Sequence, residues 1–350
     1  MTDRLVAGLH GIKSGLDALA GRPALTVALV SLKPEQFCSD LAGQQEFQGV
    51  TFDVLPEPAA LRGREAAYDI CILCCHNQAE EPVLFDLRSS GFASVYFAWL
   101  WDNHHHPVGT LRTALLADCV FVSHWHERDY LNHPLVFPGP HVPACARQFS
   151  AGLIETAYPA GLPVAREDGL FGGFGHYAWT NERNAFIAAL MAACPDHALA
   201  LGPLSDYVAL PEPVRLARWA GHKVQVTVPV AGDLSTRVFD ALMTGEIPLV
   251  PSDVPDLDLV VPRAVQERLP ILRYTPRSID DVQRAWQEGL RRFDAEGAAG
   301  VARRHAFARD HHSLANRLAR FAQFIRSPGH FELGGDGLRR FWSNWPPQHR

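Results

Sequence analysis

GDLSTRVFDALMTGEIPLVPSDVPD, residues 232–256, reads as loop, helix, turn, buried strand, loop. Ser235 or Asp233 can cap the helix by accepting from its orphan backbone N–H groups. Val238, Ala241 and Leu242 recur at i, i+3 and i+4 and give it one apolar face. Gly245 suits the left-handed conformation that ends a helix. Ile247–Val250 is short and apolar, as in a strand buried on both faces. Such a unit aims a helix N-terminus, here Ser235 and Thr236, at the crevice beyond a parallel sheet. Its N–H groups and dipole attract a phosphate there. Arg237 in the first turn adds a forked cation, and Asp240 a carboxylate able to accept from ribose hydroxyls. An ordinary helix–strand unit with a surface arginine satisfies the same pattern.

A chain of 350 residues predicts two domains, each able to bury its own core. An apolar fraction of 47% and a charged fraction of 20% are those of a soluble globular protein. A formal net charge of −6 disfavours a general nucleic-acid or anionic-membrane binder. Of the seven cysteines, Cys71, Cys74 and Cys75 share one strand-like run, so they read as reduced core thiols. Charges and glycines break the first twenty residues, so no signal peptide is expected, and no stretch is long enough to span a membrane. The expected location is cytoplasmic.

In the first half, strand-like runs occur at Leu25–Leu32, Val50–Leu55, Tyr68–Cys75, Ser94–Trp101 and Asp118–Ser123. Helical stretches at Glu80–Ser89 and Val108–Leu116 lie between some of them. The alternation predicts a doubly wound parallel sheet, whose ligands bind beyond the carboxyl ends of its strands. No Gly-x-Gly-x-x-Gly follows the first strand, which disfavours a nicotinamide dinucleotide. WLWDNHHHP, residues 99–107, puts two tryptophans, a carboxylate and three imidazoles at a strand-to-loop junction. Asp102 and His104 are the candidates for acid, base or electrostatic work, with His105 and His106 not separable from His104. Trp99 or Trp101 would serve as an apolar platform. Adjacent histidines in an extended loop point to alternate sides, so a metal shell is disfavoured and none is assigned. A solvated polar loop is the plain alternative. Ser123 is expected to cap the helix that follows it.

In the second half, Leu170–Gly175 opens a second sheet, with Gly173 in a glycine turn and Arg183 near the start of the next helix. Ala198–Leu201, Lys223–Val228 and Leu269–Tyr274 read as further strands. Ser278 with Asp281 forms a box-like helix cap. Val301–Ile325 reads as one helix, with Arg303, Arg304 and His305 on its solvated face. The boundaries are a first domain at 1–150, a linker at 151–167, a second domain with a terminal crossover helix at 168–327, and a tail at 328–350.

RVFDALMTGEIPLVPSDVPDL, from Arg237 to Leu257, resembles the donor-binding segment of GT-B glycosyltransferases, in particular the group-1, CgeB-like branch. The branch has Glu where Asp240 stands, and the first carboxylate of its Glu-x7-Glu pair is replaced by Gly232. The resemblance implies two Rossmann-like α/β domains facing across a cleft, and sugar transfer from a nucleotide-sugar donor without a metal or other cofactor. Gly173, Arg183, Ser235, Thr236 and Arg237 would hold the diphosphate, Asp240 the ribose, and Asp102 and His104 would face the reacting carbon. The acceptor, whether saccharide, lipid-linked sugar or protein, and the stereochemical course stay open. A GT-B-fold nucleotide-sugar epimerase, a non-catalytic sugar-nucleotide or partner-binding module, and, more distantly, a metal-dependent hydrolase using the histidines are the alternatives.

Overall fold

The computed structural model describes residues 11–12, 14–31, 44–55, 68–75, 80–101, 105–124, 136–138, 145–194, 196–203 and 210–326. They divide into two compact units. One holds the described chain as far as residue 138 together with residues 314–326, and the other holds residues 145–313.

The first unit is built on seven strands: β1 (Leu25–Ser31), β2 (Gln44–Phe47), β3 (Val50–Leu55), β4 (Tyr68–Cys75), β5 (Ala93–Leu100), β6 (Cys119–Val122) and β7 (Val136–Pro138). Their order is β2-β3-β1-β4-β5-β6-β7. All pairs are parallel except β2–β3, a hairpin turned through Gln48 and Gly49, both at positive φ. The turn requires that pair of left-handed residues, and an edge strand this short and polar escaped the sequence pattern. β4 and β5 are buried almost throughout because helices α1 (Glu80–Ser89) and α2 (Pro107–Leu116) pack beside them. Cys71, Cys74 and Cys75 are buried there, and desolvation pushes the Cys71 thiol up to about 12. These are inert core thiols.

The second unit holds β8 (Phe171–Gly175), β9 (Ala198–Gly202), β10 (Val224–Val226), β11 (Ile247–Pro251) and β12 (Leu272–Tyr274), all parallel, in the order β12-β11-β10-β8-β9. Its helices are α3 (Ala151–Ala157), α4 (Asn181–Ala193), α5 (Glu212–Ala220), α6 (Thr236–Met243), α7 (Pro255–Val260), α8 (Arg263–Arg268) and α9 (Ile279–His312). From β8 the chain goes to β9 on one side and then to β10, β11 and β12 on the other. The winding therefore reverses between β8 and β10, where open α/β sheets leave a crevice at their carboxyl edge. The expected linker at 151–167 belongs to this unit: it contains α3, and Glu167 bridges to His222.

The α6–β11 segment folds as its residues dictate. Ser235 caps α6, accepting from Arg237 N–H at 3.4 Å. Gly245 ends it at φ +81°, with Gly245 N–H donating to Leu242 O and Glu246 N–H to Ala241 O, the paired bonds of a Schellman motif. The carbonyls left over at this buried helix end are then taken by basic side chains. Arg166 Nη2 donates to Thr244 O at 2.9 Å, Arg304 Nε to Gly245 O at 2.9 Å, and His305 Nδ1 lies 2.6 Å from Met243 O. Arg304 is fully buried, which corrects the reading of residues 303–305 as a solvated face. Helix C-termini attract cations such as the two arginines because their carbonyl ends are partially negative.

The helix expected at Val301–Ile325 is two helices, broken at Ser313. α9 is itself bent at Gly297 (φ 52°, ψ −142°). α10 (Leu314–Arg326) returns to the first unit. There Phe321 packs edge-on against Trp99 and Phe121, each at 4.9 Å, and Phe324 against Phe121 at 5.0 Å. Arg326 closes the helix by donating to the carbonyls of Ala20, Arg22, Pro23, Gln48 and Gly49. No described helix is long and apolar enough to cross a membrane.

Candidate functional site

A cavity of about 490 Å³ opens at the carboxyl edge of the second sheet, beside the β8/β10 reversal. That volume falls within the range of small-molecule sites. Its wall is made by the start of α4 (Trp179–Arg183), Val228, Pro229, Ala231 and Gly232 in the loop after β10, Pro251 at the end of β11 with Asp253 beyond it, and Tyr274 at the end of β12 with Pro276 and Arg277 in the loop beyond it. Two of these loops are tight turns. In the first, Val230 O accepts from Asp233 N–H and Asp233 Oδ1 from Val230 N–H, while Ala231 and Gly232 both have positive φ. In the second, Ser278 N–H donates to Thr275 O, with Pro276 leading and Arg277 at φ 60°. That is the type II turn pattern, whose third residue is ordinarily glycine or asparagine. Tyr274 is buried beneath, its hydroxyl donating to Thr227 O at 2.7 Å.

Two guanidiniums gather on the ring of Phe174: Arg183 at 5.5 Å and Arg237 at 5.8 Å from its centroid. The ring has room because Gly172, two residues earlier on the same face of β8, lacks a side chain. A Cβ there would stand 2.8 Å from Phe174 Cζ. Arg183 is 8% exposed. Its Nε donates to Val228 O and its Nη1 to Gly175 O, both at 3.0 Å, so it ties the ends of the two strands that flank the reversal. Among the described residues, its Nη2 is buried without an acceptor. Burial first and the Arg237 charge second bring Arg183 down to about 10, with Asp233 opposing both. It remains a cation at neutral pH. A buried, charged donor without a partner, next to a second cation, is a place where an anion is stabilised.

Arg277 and Glu182 both line the cavity, and Arg277 Nη1 meets Glu182 Oε2 at 2.6 Å. Their side chains are 68% and 74% exposed, and such a pair contributes only about 0–1 kcal/mol. A non-glycine residue held in the left-handed region costs roughly 1–3 kcal/mol. The ion pair does not offset the turn that carries it.

The candidate residues from the sequence divide accordingly. Arg183 and Arg237 come together. Ser235 and Thr236 start α6 just beyond the turn that lines the cavity. Gly173 does not lie in a turn: it is a mid-strand residue of β8 in register with Ala200, so the glycine cluster is the strand itself. Asp240 is fully buried, and burial raises its carboxyl despite three hydrogen bonds. Oδ1 accepts from the Arg147 and Gln148 N–H groups at 2.8 and 3.0 Å, and Oδ2 from Gln148 Nε2 at 3.1 Å. A carboxylate committed in this way anchors the start of the unit to α6, and the ribose role does not fit it. Lys223 is bound by Asp168 and Asp294 at 2.6 and 2.7 Å. Asp102 and His104 lie outside the described residues. Trp99 and Trp101 are core side chains, 0% and 2% exposed, and the platform reading is corrected. Among the described residues, no group of three or more His, Cys, Asp or Glu is placed to hold a metal.

Sequence reasoning missed Trp179, Glu182, Asp253 and Arg277. Arg277 had a signal: in Thr275-Pro-Arg-Ser278 an arginine occupies the position of a proline turn that favours glycine.

No protein-family model matches the chain, and no curated protein matches it. Solved structures do. A sucrose-phosphate synthase from Thermosynechococcus elongatus is similar over 88% of this chain and 100% of its own, at 12% identity and a TM-score of 0.53. The catalytic domain of starch synthase IV from Arabidopsis thaliana, bound to ADP and acarbose, is similar over 86% and 99%, at 10% identity and a TM-score of 0.51. At such identities the likeness is one of fold: α/β, with Rossmann-like parallel-sheet units, as expected from the sequence.

Proposed function

We propose that the chain is a glycosyltransferase that takes its sugar from a nucleotide-diphosphate donor bound at the carboxyl edge of the second sheet. The observation that carries this reading is the pair of guanidiniums on Phe174, with Arg183 Nη2 buried and without an acceptor. A departing nucleoside diphosphate gains negative charge as its bond to the sugar breaks. Fixed cations beside a helix start stabilise that charge most when it has developed fully. Arg183 is pre-positioned by its two carbonyl partners, so little reorganisation is needed. In this reading no divalent metal is required. The fold likeness supports it, since one similar structure holds ADP and acarbose in the same complex. Asp102 and His104, just after β5, are the residues proposed for acid–base or electrostatic work on the sugar. The CgeB-like branch is the proposed affiliation, on the segment from Arg237 to Leu257.

One observation favours a second reading, a non-catalytic nucleotide-sugar-binding module. Asp240, the remaining carboxylate of the family's pair, is consumed by backbone donors.

The test is a thermal-shift screen of the whole chain against nucleoside diphosphates and nucleotide-sugars, wild type beside Arg237→Ala. A ligand selective for the folded state raises the melting temperature by mass action. A shift with one nucleotide, lost in the variant, supports the donor site. No shift with any of them, in folded protein, removes it. Binding without hydrolysis or transfer under any acceptor selects the module.

A further inference from the structure

We infer that Arg277 is a phosphate-binding cation of this cavity, joining Arg183 of its wall, and is held by Glu182 until an anionic ligand takes it. The inference rests on the donor-site reading above and deepens it.

Three non-glycine residues among those described have positive φ: Gln48, Ala231 and Arg277. Gln48 serves the β2–β3 hairpin. The other two both line the one cavity that carries the buried, unpartnered Arg183 Nη2. Glycine would make the Thr275–Ser278 turn with less strain, so the arginine must be kept for its side chain. Among the described residues its partner is Glu182, in the first turn of α4. A carboxylate there needs no arginine for stability, because the start of a helix already favours negative charge. Both side chains are largely exposed, so water competes with their bond and little is lost when it opens. A phosphate carries more charge and three acceptor oxygens, and it matches the guanidinium fork as well as a carboxylate does. Exchange of Glu182 for phosphate would bring Arg277 onto the ligand from the β12 side, while Arg183 and Arg237 approach from α4 and α6. Glu182 is thus a competitor: in its ionised form it lowers affinity for every anionic ligand by occupying the cation first.

Calorimetric titration of the whole chain with a nucleoside diphosphate, with the matching nucleoside and with inorganic pyrophosphate tests this. Arg277→Gly removes the guanidinium and relaxes the turn, so the melting temperature should rise by about 2 °C. The same variant should bind the diphosphate and pyrophosphate at least tenfold more weakly, with the nucleoside unchanged. Glu182→Gln should do the opposite and bind both anions several-fold more tightly. A turn residue without a binding role would gain stability and lose no affinity, and that result overturns the proposal. Tighter binding that fails to appear in Glu182→Gln overturns the competition. Wild-type protein that binds none of the three probes overturns the donor-site reading itself and this inference with it.

Discussion

Gly245→Ala is a demanding test of how α6 is held. The glycine sits at φ +81° in the Schellman motif, where an L side chain costs about 1–2 kcal/mol. A Cβ at this position would lie 2.7 Å from Val301 Cγ1, inside van der Waals contact, and 3.3 Å from both Val301 O and Arg166 Nη2. Val301 is 3% exposed and has nowhere to retreat, so overpacking adds roughly 1–3 kcal/mol. The sum is about 2–5 kcal/mol, or roughly 5–15 °C in melting temperature for a unit of this length. Val301→Ala removes the clashing methyl. In that background Gly245→Ala should lose the overpacking component and retain the backbone one, leaving about 1–2 kcal/mol. The assay is a double-mutant cycle by thermal unfolding, with a coupling of roughly 1–3 kcal/mol. A single-variant cost below about 1 kcal/mol, or one unchanged by Val301→Ala, would refute the account of this helix end.

Other perturbations reach different parts of the molecule. Gly172→Ala should push the Phe174 ring from under Arg183 and Arg237, weakening nucleotide binding by about tenfold with a smaller effect on melting; unaltered affinity in calorimetry would show that the ring is not their platform. Arg326→Met removes the donor to five carbonyls and should cost roughly 2–4 kcal/mol, read by urea unfolding, where a loss under 1 kcal/mol would count against the clamp. Asp258 is pushed up by burial, but Gln266, Arg263 and Arg273 together hold its carboxyl below the usual value. A depressed native pKa gives stability that is present above about pH 4 and lost as pH falls through the native value. Asp258→Asn should therefore destabilise by about 0.5–1 kcal/mol at pH 7 and by nothing near pH 2; a constant difference across that range would contradict it.

What could be read from the chain followed from periodicity. β3, β4 and α1 fall where the apolar patterns put them, because their burial is set by the sheet they join. Gly245 was legible because a left-handed helix end has few candidates. The failures have a common cause, which is that a charged residue's partner is remote in sequence. Arg304 looks solvated until Gly245 and Glu296 arrive from elsewhere in the unit. Asp240 looks like a ligand until residues 147 and 148 donate to it, 93 and 92 positions away. The site was half visible for the same reason. Arg183 and Arg237 each stood at a helix start, but only the fold places them on one ring. Arg277 and Glu182 met through a turn and a helix start 95 residues apart, a separation that sequence pattern does not reach.

The return of α10 to the first unit bears on how the protein is made. Residues 143–313 emerge from the ribosome as one uninterrupted stretch and can close their own core as soon as they are out. The first unit cannot. Its sheet leaves the tunnel early, but Phe97, Trp99 and Phe121 wait for Phe321 and Phe324 to cover them. Throughout synthesis of the second unit, this aromatic face stands open to solvent. Exposed apolar surface of that kind is what chaperones bind and what drives nascent chains to aggregate. The amino-terminal half is translated first and finished last.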